Sequence, residues 1–156
     1  MKKLITIITL LLLITTSLIP GCIDRAYSYD NFADDLRDSV VSVEIGETSD
    51  HRGLISPFLA NTKNNIKING ENVNVYEYDN EALADEDATH IHPDGYGYTR
   101  IDETGKGHSV SWSLVGYPHF FNKGRIIVSY VDVSRGSDPT VNNLLVSILG
   151  KQFAGQ

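Results

Sequence analysis

Two histidines and an aspartate lie close together in the stretch His90-Ile-His92-Pro-Asp94. Imidazole nitrogens and a carboxylate oxygen are ligands that Zn²⁺ takes in catalytic sites. In a strand, His90 and His92 would project from the same face, which suits a metal. The local sequence instead favours the end of a helix followed by a proline turn, where residues two apart do not face each other. A divalent-metal hydrolase that uses His90, His92 and Asp94, with help from His119, is therefore the alternative function.

Aromatic side chains form a second candidate site. Residues 117–124 (Tyr-Pro-His-Phe-Phe-Asn-Lys-Gly) are predicted to be a connection, and Trp112 shortly precedes them. Aromatic residues dominate binding hot spots, so Trp112, Tyr117, His119 and Phe120 form a candidate recognition patch. The competing interpretation is a hydrophobic loop folded onto a sheet. In that case Trp112 belongs to the core and the His119 imidazole bonds a backbone carbonyl.

The sequence gives little support for nucleophilic catalysis or for a bound cofactor. Ser109, Ser111 and Ser113 alternate around Trp112, and none lies in a Gly-x-Ser-x-Gly elbow. The two Gly-x-Gly stretches, at 95–97 and 105–107, lack the strand–turn–helix setting of a phosphate-binding loop. We therefore expect a protein that is not an enzyme and that needs no cofactor.

The chain begins with a segment typical of an export signal. Lys2 and Lys3 precede an uncharged apolar stretch at residues 4–19, and Pro20-Gly21 follows it. A basic start, a short apolar region and a small residue before a cleavage site describe a secretory signal peptide. A membrane-spanning helix needs about 20 consecutive apolar residues, and this stretch is shorter and carries several Thr. We predict that residues 1–21 are removed.

The chain has a single cysteine, Cys22, directly after this segment. The stretch Leu18-Ile-Pro-Gly-Cys22 resembles a lipobox, the processing site of prokaryotic lipoproteins. The resemblance implies cleavage before Cys22, a diacylglycerol with fatty acids such as palmitate on its thiol, and attachment to the cell membrane facing outside the cytoplasm. The predicted organisation is a signal peptide at 1–21, a lipidated tether at 22–29, and one domain at 30–156.

The charge balance limits the possible partners. The 156-residue chain carries 13 Lys and Arg against 20 Asp and Glu, and the predicted leader holds two of the lysines and none of the acids. The mature net charge is therefore near −9, which argues against nucleic acid as a partner and against electrostatic binding to anionic lipids. Membrane contact would come from the lipid on Cys22, and we expect a protein of the cell envelope as a partner.

Apolar periodicity predicts three helices in the domain. The first is expected to follow an N-cap at Asp30 and to bury Phe32, Leu36 and Val40. The last is expected to start at Asp138-Pro139 and to end at Gly150. The middle helix has its N-cap at Asp79 or Asn80. Its predicted inward residues are Leu83, Ala84, Ala88 and Ile91, and its predicted outward residues are Glu81, Asp85, Glu86 and Asp87.

Alternating segments predict the strands. Asn69-Gly70 lies between two of them and is the preferred two-residue hairpin turn. Residues 125–133 are the most hydrophobic part of the domain and are expected to form a central strand. Strands joined by short connections favour an antiparallel sheet. We predict an α+β fold whose sheet is covered on one face by about three helices, and a ferredoxin-like pairing from Val73 onward is compatible with this order.

A layout of short motifs spans roughly residues 66–156. In order, the motifs are Val-Tyr-Glu-Tyr78, His-Pro-Asp-Gly95, Trp112, Pro-His-Phe-Phe121, Gly-Arg-Ile-Ile-Val128 and Leu-Gly-Lys-Gln-Phe-Ala-Gly155. This layout resembles a family of small, uncharacterised prokaryotic exported proteins and lipoproteins. The resemblance implies a location outside the cytoplasm, and it implies no activity.

Overall fold

The computed structural model describes residues 26–39, 41–50, 58–133 and 139–155. The predicted signal peptide, Cys22, Val40 and Asp138 lie outside these ranges. The elements in chain order are α1 (Tyr29–Arg37), β1 (Val43–Asp50), β2 (Thr62–Ile68), β3 (Glu71–Glu77), α2 (Glu81–Ala88), β4 (Gly97–Ile101), β5 (Gly107–Ser111), β6 (Tyr117–Lys123), β7 (Ile126–Asp132), α3 (Thr140–Leu149) and β8 (Ala154–Gly155).

Six strands form one antiparallel sheet in the order β1-β2-β3-β7-β6-β8, and β4 and β5 form a separate hairpin. Strand β7 lies between β3 and β6, which confirms the predicted central strand. The hairpin at Asn69-Gly70 is also confirmed: these residues have φ of 52° and 86° and connect β2 to β3. Both angles fall in the left-handed region that this type of turn requires.

Helices α1 and α3 pack on one face of the sheet. They contribute Phe32, Leu36, Val141, Leu145 and Leu149 to a buried cluster. Every second residue of β2, β3 and β7 points into the same cluster, because successive side chains of a strand alternate between faces. The sheet residues of this cluster are Ile66, Ile68, Val73, Val75, Phe121, Ile126, Val128 and Tyr130.

The opposite face is covered in part by α2 and by the β4–β5 hairpin. Their Ala84 and Tyr98 are buried with Tyr76, Phe120 and Ile127 of the sheet. The α+β prediction is confirmed, whereas the prediction that the helices share one face is wrong. The three helices have only 9, 8 and 10 residues and cover the sheet loosely.

The ferredoxin-like arrangement is not confirmed. A split βαβ unit would return the chain from α2 directly to the main sheet. Here the chain after α2 forms the β4–β5 hairpin instead, and β3 pairs directly with β7.

Two local predictions need correction. Helix α1 starts two residues earlier than expected, because Ser28 is the N-cap and forms a capping box with Asn31. Residues 117–124 were expected to be a connection, but residues 117–123 form strand β6, which pairs with β7 along its whole length. No helix in the described ranges is long and apolar enough to cross a membrane.

Candidate functional site

An open groove of about 140 Å³ lies on the sheet face that carries the β4–β5 hairpin. It is bounded by residues from the hairpin side, from the segment before β2, and from the sheet strands. The lining residues are Phe58, Asn74, Tyr76, Trp112, Leu114, Phe120, Ser129, Tyr130 and Val131. The size and the mainly apolar lining are those of a site for a small ligand or for one side chain of a partner.

Aromatic rings form the walls of the groove. The indole of Trp112 stacks on Phe120, with ring centroids 5.9 Å apart and planes 26° apart. Phe58 lies 5.8 Å from Trp112 and 4.5 Å from Tyr76, again between ring centroids. These distances are those of favourable aromatic pairs, so the walls hold one another in position. Trp112 is half-buried, and its side chain lines the groove.

Polar side chains lie at the base of the groove. Asn74 on β3 donates from Nδ2 to the hydroxyl of Ser129 on β7, at 3.4 Å. Burial raises the pKa of the Tyr76 hydroxyl to about 12, although its hydrogen bond with Ser129 acts in the opposite direction. Tyr76 is therefore neutral at physiological pH. An amide and two hydroxyls beside an apolar wall can orient a bound group without carrying charge.

The structure divides the predicted recognition patch between the two faces of the sheet. Trp112 and Phe120 meet in the groove, whereas His119 points to the opposite face because it is the neighbour of Phe120 in β6. His119 is buried, lies parallel to Tyr130 at 5.7 Å, and donates from Nδ1 to Oε1 of Gln152 at 2.7 Å. Its partner is thus a side-chain amide rather than a backbone carbonyl.

Tyr117 is 39% exposed and lies outside the groove. It borders a separate shallow hollow that is also lined by Tyr96, Leu114, Val115 and Gly116. Of the four predicted binding residues, two therefore line the groove, one is buried on the far face, and one lies on a neighbouring surface.

The residues of the metal alternative each have another partner. The ring of His90 meets Tyr98 edge to face, and His92 Nε2 is hydrogen-bonded to Thr99 Oγ1 at 2.9 Å. Asp94 accepts from the backbone N–H of Tyr96 at 3.0 Å, which closes a local turn. Across the described ranges, no three His, Cys, Asp or Glu side chains are placed to hold a metal ion. The structure therefore does not bring His90, His92 and Asp94 together as the metal site of the alternative function.

The most unusual side chain near the groove is Asp87, which was predicted to face water and is instead 0% exposed. Its Oδ1 accepts from the hydroxyl of Tyr98 at 2.6 Å, and its Oδ2 accepts from the hydroxyl of Tyr78 and the N–H of Leu59, both at 2.8 Å. Burial raises the pKa of both tyrosines, and their bonds to the carboxylate raise it further. We call Asp87 with these three donors the carboxylate lock.

The position of Asp87 in the sequence already indicated that its side chain is buried. Asp87 is three residues after Ala84 and four before Ile91, so it shares the stripe that the helix buries. The lock joins three parts of the chain, because Tyr98 is in the hairpin and Leu59 adjoins Phe58 of the groove wall. It therefore fixes the position of the groove wall relative to α2.

Comparison of this chain with family models, with curated proteins and with solved structures finds no significant match. The resemblance to small exported lipoproteins therefore stays a prediction from the sequence.

Proposed function

We propose that this protein is a membrane-anchored lipoprotein with a non-enzymatic binding domain outside the cytoplasm. The observation that supports binding is the groove in which Trp112 and Phe120 meet Phe58 and Tyr76. The observation that supports anchoring is the position of Cys22 after the export-like segment.

The lining favours binding over catalysis. General acid–base catalysis needs a titratable side chain at the reacting group. The described side chains that line the groove include no His, Asp, Glu, Lys or Arg, and their titratable groups are the phenols of Tyr76 and Tyr130. Burial raises the pKa of Tyr76 to about 12, which makes it a poor general base at neutral pH. Such a lining can bind a ligand through its shape and its apolar surface without changing it chemically.

Trp112 is the only tryptophan of the chain, so its fluorescence reports on the groove directly. We expect benzyl alcohol, a small neutral aromatic probe, to change the Trp112 emission of the full-length protein in a saturable way. Asn74→Phe should abolish this change, because the added ring occupies the groove. Asn72→Phe is the matched control: Asn72 is exposed, lies two residues away on the same sheet face, and does not line the groove.

Comparison of the two variants also separates binding from partitioning of the probe into detergent, which affects both equally. If benzyl alcohol leaves the emission of the wild-type protein unchanged, or if both variants respond as the wild type does, the groove is not a binding site.

The anchoring proposal is tested by Cys22→Ser. A single acyl chain holds a protein only marginally at a membrane, whereas two or more hold it stably. We expect the variant to lose incorporation of radiolabelled palmitate and to keep its leader uncleaved. Equal labelling and equal processing of the variant and the wild type would refute the lipoprotein assignment.

A further inference from the structure

Lys63 places a positive charge beside the groove. It lies on β2 directly opposite Tyr76 of β3, on the sheet face that carries the groove. Its Nζ is 5.7 Å from the centroid of the Tyr76 ring, within the range of a cation–π contact. Tyr76 lines the groove, so its ring separates the Lys63 ammonium from a group bound there.

Within the described ranges, no carboxylate forms an ion pair with Lys63. Partial burial lowers the pKa of Lys63 below its usual range. Lys67, two residues away on the same strand and face, is different because its Nζ is 3.7 Å from Glu44. In a chain with a net charge of −7, Lys63 is therefore a local site of attraction for an anion.

We propose that the groove binds a small carboxylic acid with a compact apolar group, such as an aromatic ring. The ring would stack on Trp112 and fill the apolar part of the groove, and the carboxylate would face Lys63. This inference rests on the proposed binding function and deepens it by naming the ligand class. Charge complementarity selects an anion over a neutral compound of the same shape.

The volume supports a small occupant. About 140 Å³ accommodates roughly one aromatic ring with a short substituent, and it is below the 300–1,000 Å³ of drug-sized pockets. The amide of Asn74 lines the groove and can donate a hydrogen bond to a carboxylate oxygen in addition to its bond with Ser129. Asn74 would thus supply the direct hydrogen bond, while the Lys63 ammonium, one ring away, attracts the negative charge without touching it.

The test compares two probes of the same shape, phenylacetate and the neutral phenylacetamide, by Trp112 fluorescence of the full-length protein at pH 7. We expect phenylacetate to bind about five-fold more tightly, the upper range for a partly exposed ion pair. Lys63→Gln should remove this difference. Lys67→Gln should preserve it, because the Lys67 charge is already paired with Glu44.

Equal affinity for the two probes would overturn the proposal for an acid and leave the groove as a binding site. An equal loss of selectivity in Lys63→Gln and Lys67→Gln would overturn the role of Lys63. If neither probe nor benzyl alcohol binds, both this inference and the proposed function fail. A peptide ending in Phe serves as a further arm, and if it alone binds, the occupant is a protein C-terminus and not a small acid.

Discussion

Replacement of Tyr98 by Phe removes one donor from the carboxylate lock and keeps the ring. Tyr98 and Asp87 are both 0% exposed, and the hydroxyl lies 2.6 Å from Oδ1. A hydrogen bond to a charged group contributes about 1.5–3 kcal/mol to stability. The loss should be near the middle of this range, because water cannot replace the donor at a fully buried site. We therefore expect Tyr98→Phe to lower the free energy of unfolding by about 2 kcal/mol.

Urea unfolding followed by Trp112 fluorescence measures this change. With a slope of about 1.5 kcal/mol per molar urea, a loss of 2 kcal/mol lowers the midpoint by roughly 1.3 M. Tyr96→Phe is the matched control, since its hydroxyl donates to the neutral carbonyl of Gly116 at 2.9 Å. A half-buried bond to a neutral acceptor should contribute only about 0.5–1.5 kcal/mol.

Asp87→Asn tests both roles of the carboxylate lock, which are to stabilise the fold and to hold the groove wall in position. Asparagine has one acceptor oxygen and directs an NH₂ group at a donor, so it cannot serve all three donors. We expect a larger loss than in Tyr98→Phe, together with a change in native Trp112 emission, because the Leu59 N–H would release the neighbouring Phe58 wall. The reasoning is refuted if Tyr98→Phe destabilises the protein no more than Tyr96→Phe.

Two further predictions concern backbone conformation and pH. A Cβ added at Gly155 (φ +104°) would collide with the carbonyl oxygen of Pro118, whereas one added at Gly70 (φ +86°) would meet nothing. Gly155→Ala should therefore lower the free energy of unfolding by at least about 3 kcal/mol and detach β8 from β6. Gly70→Ala should lower it only by the left-handed penalty of about 1 kcal/mol. Equal urea midpoints for the two variants would contradict this prediction. Burial raises the pKa of Tyr76 to about 12, so the unfolded chain loses this proton near pH 10 and the folded protein keeps it. Stability from this group is complete below pH 10 and should fall by about 1.4 kcal/mol per unit as the pH rises toward 12, and Tyr76→Phe should reduce this slope in urea titrations; an unchanged slope in that variant would count against it.

The parts of the fold that depend on local sequence were predictable. The Asn69-Gly70 turn needs two residues that tolerate positive φ, and β7 needs a continuous apolar run. The N-cap at Asn80 follows from its side chain, which accepts from the N–H of Leu83. The start of α1 was missed because Ser28 and Asp30 are both good caps, and only the reciprocal bond with Asn31 distinguishes them.

The parts that depend on distant contacts were missed. The helical spacing of Asp87 from Ala84 places it on the buried stripe, but its partners cannot be read from the sequence, because the three donors lie 9, 11 and 28 residues away and composition assigns an acid to the surface. The aromatic-rich composition of residues 117–124 suggested a connection, but residues 117–123 pair with β7, and β8 pairs with the other edge at His119 and Phe120. Once β6 is a strand, its alternation alone separates Phe120 from His119.

The groove follows from how the hairpin joins the sheet. Its Tyr98 reaches the carboxylate lock, and Trp112, just after β5, stacks on Phe120. Between these contacts, Asn74 and Ser129 in the middle of β3 and β7 line the groove. Closing this gap with a larger side chain would bury more apolar surface and add stability. The present residues leave it open near the Lys63 ammonium, which has no acidic partner among the described residues, so the arrangement gives up packing where an apolar wall, an amide and a positive charge meet.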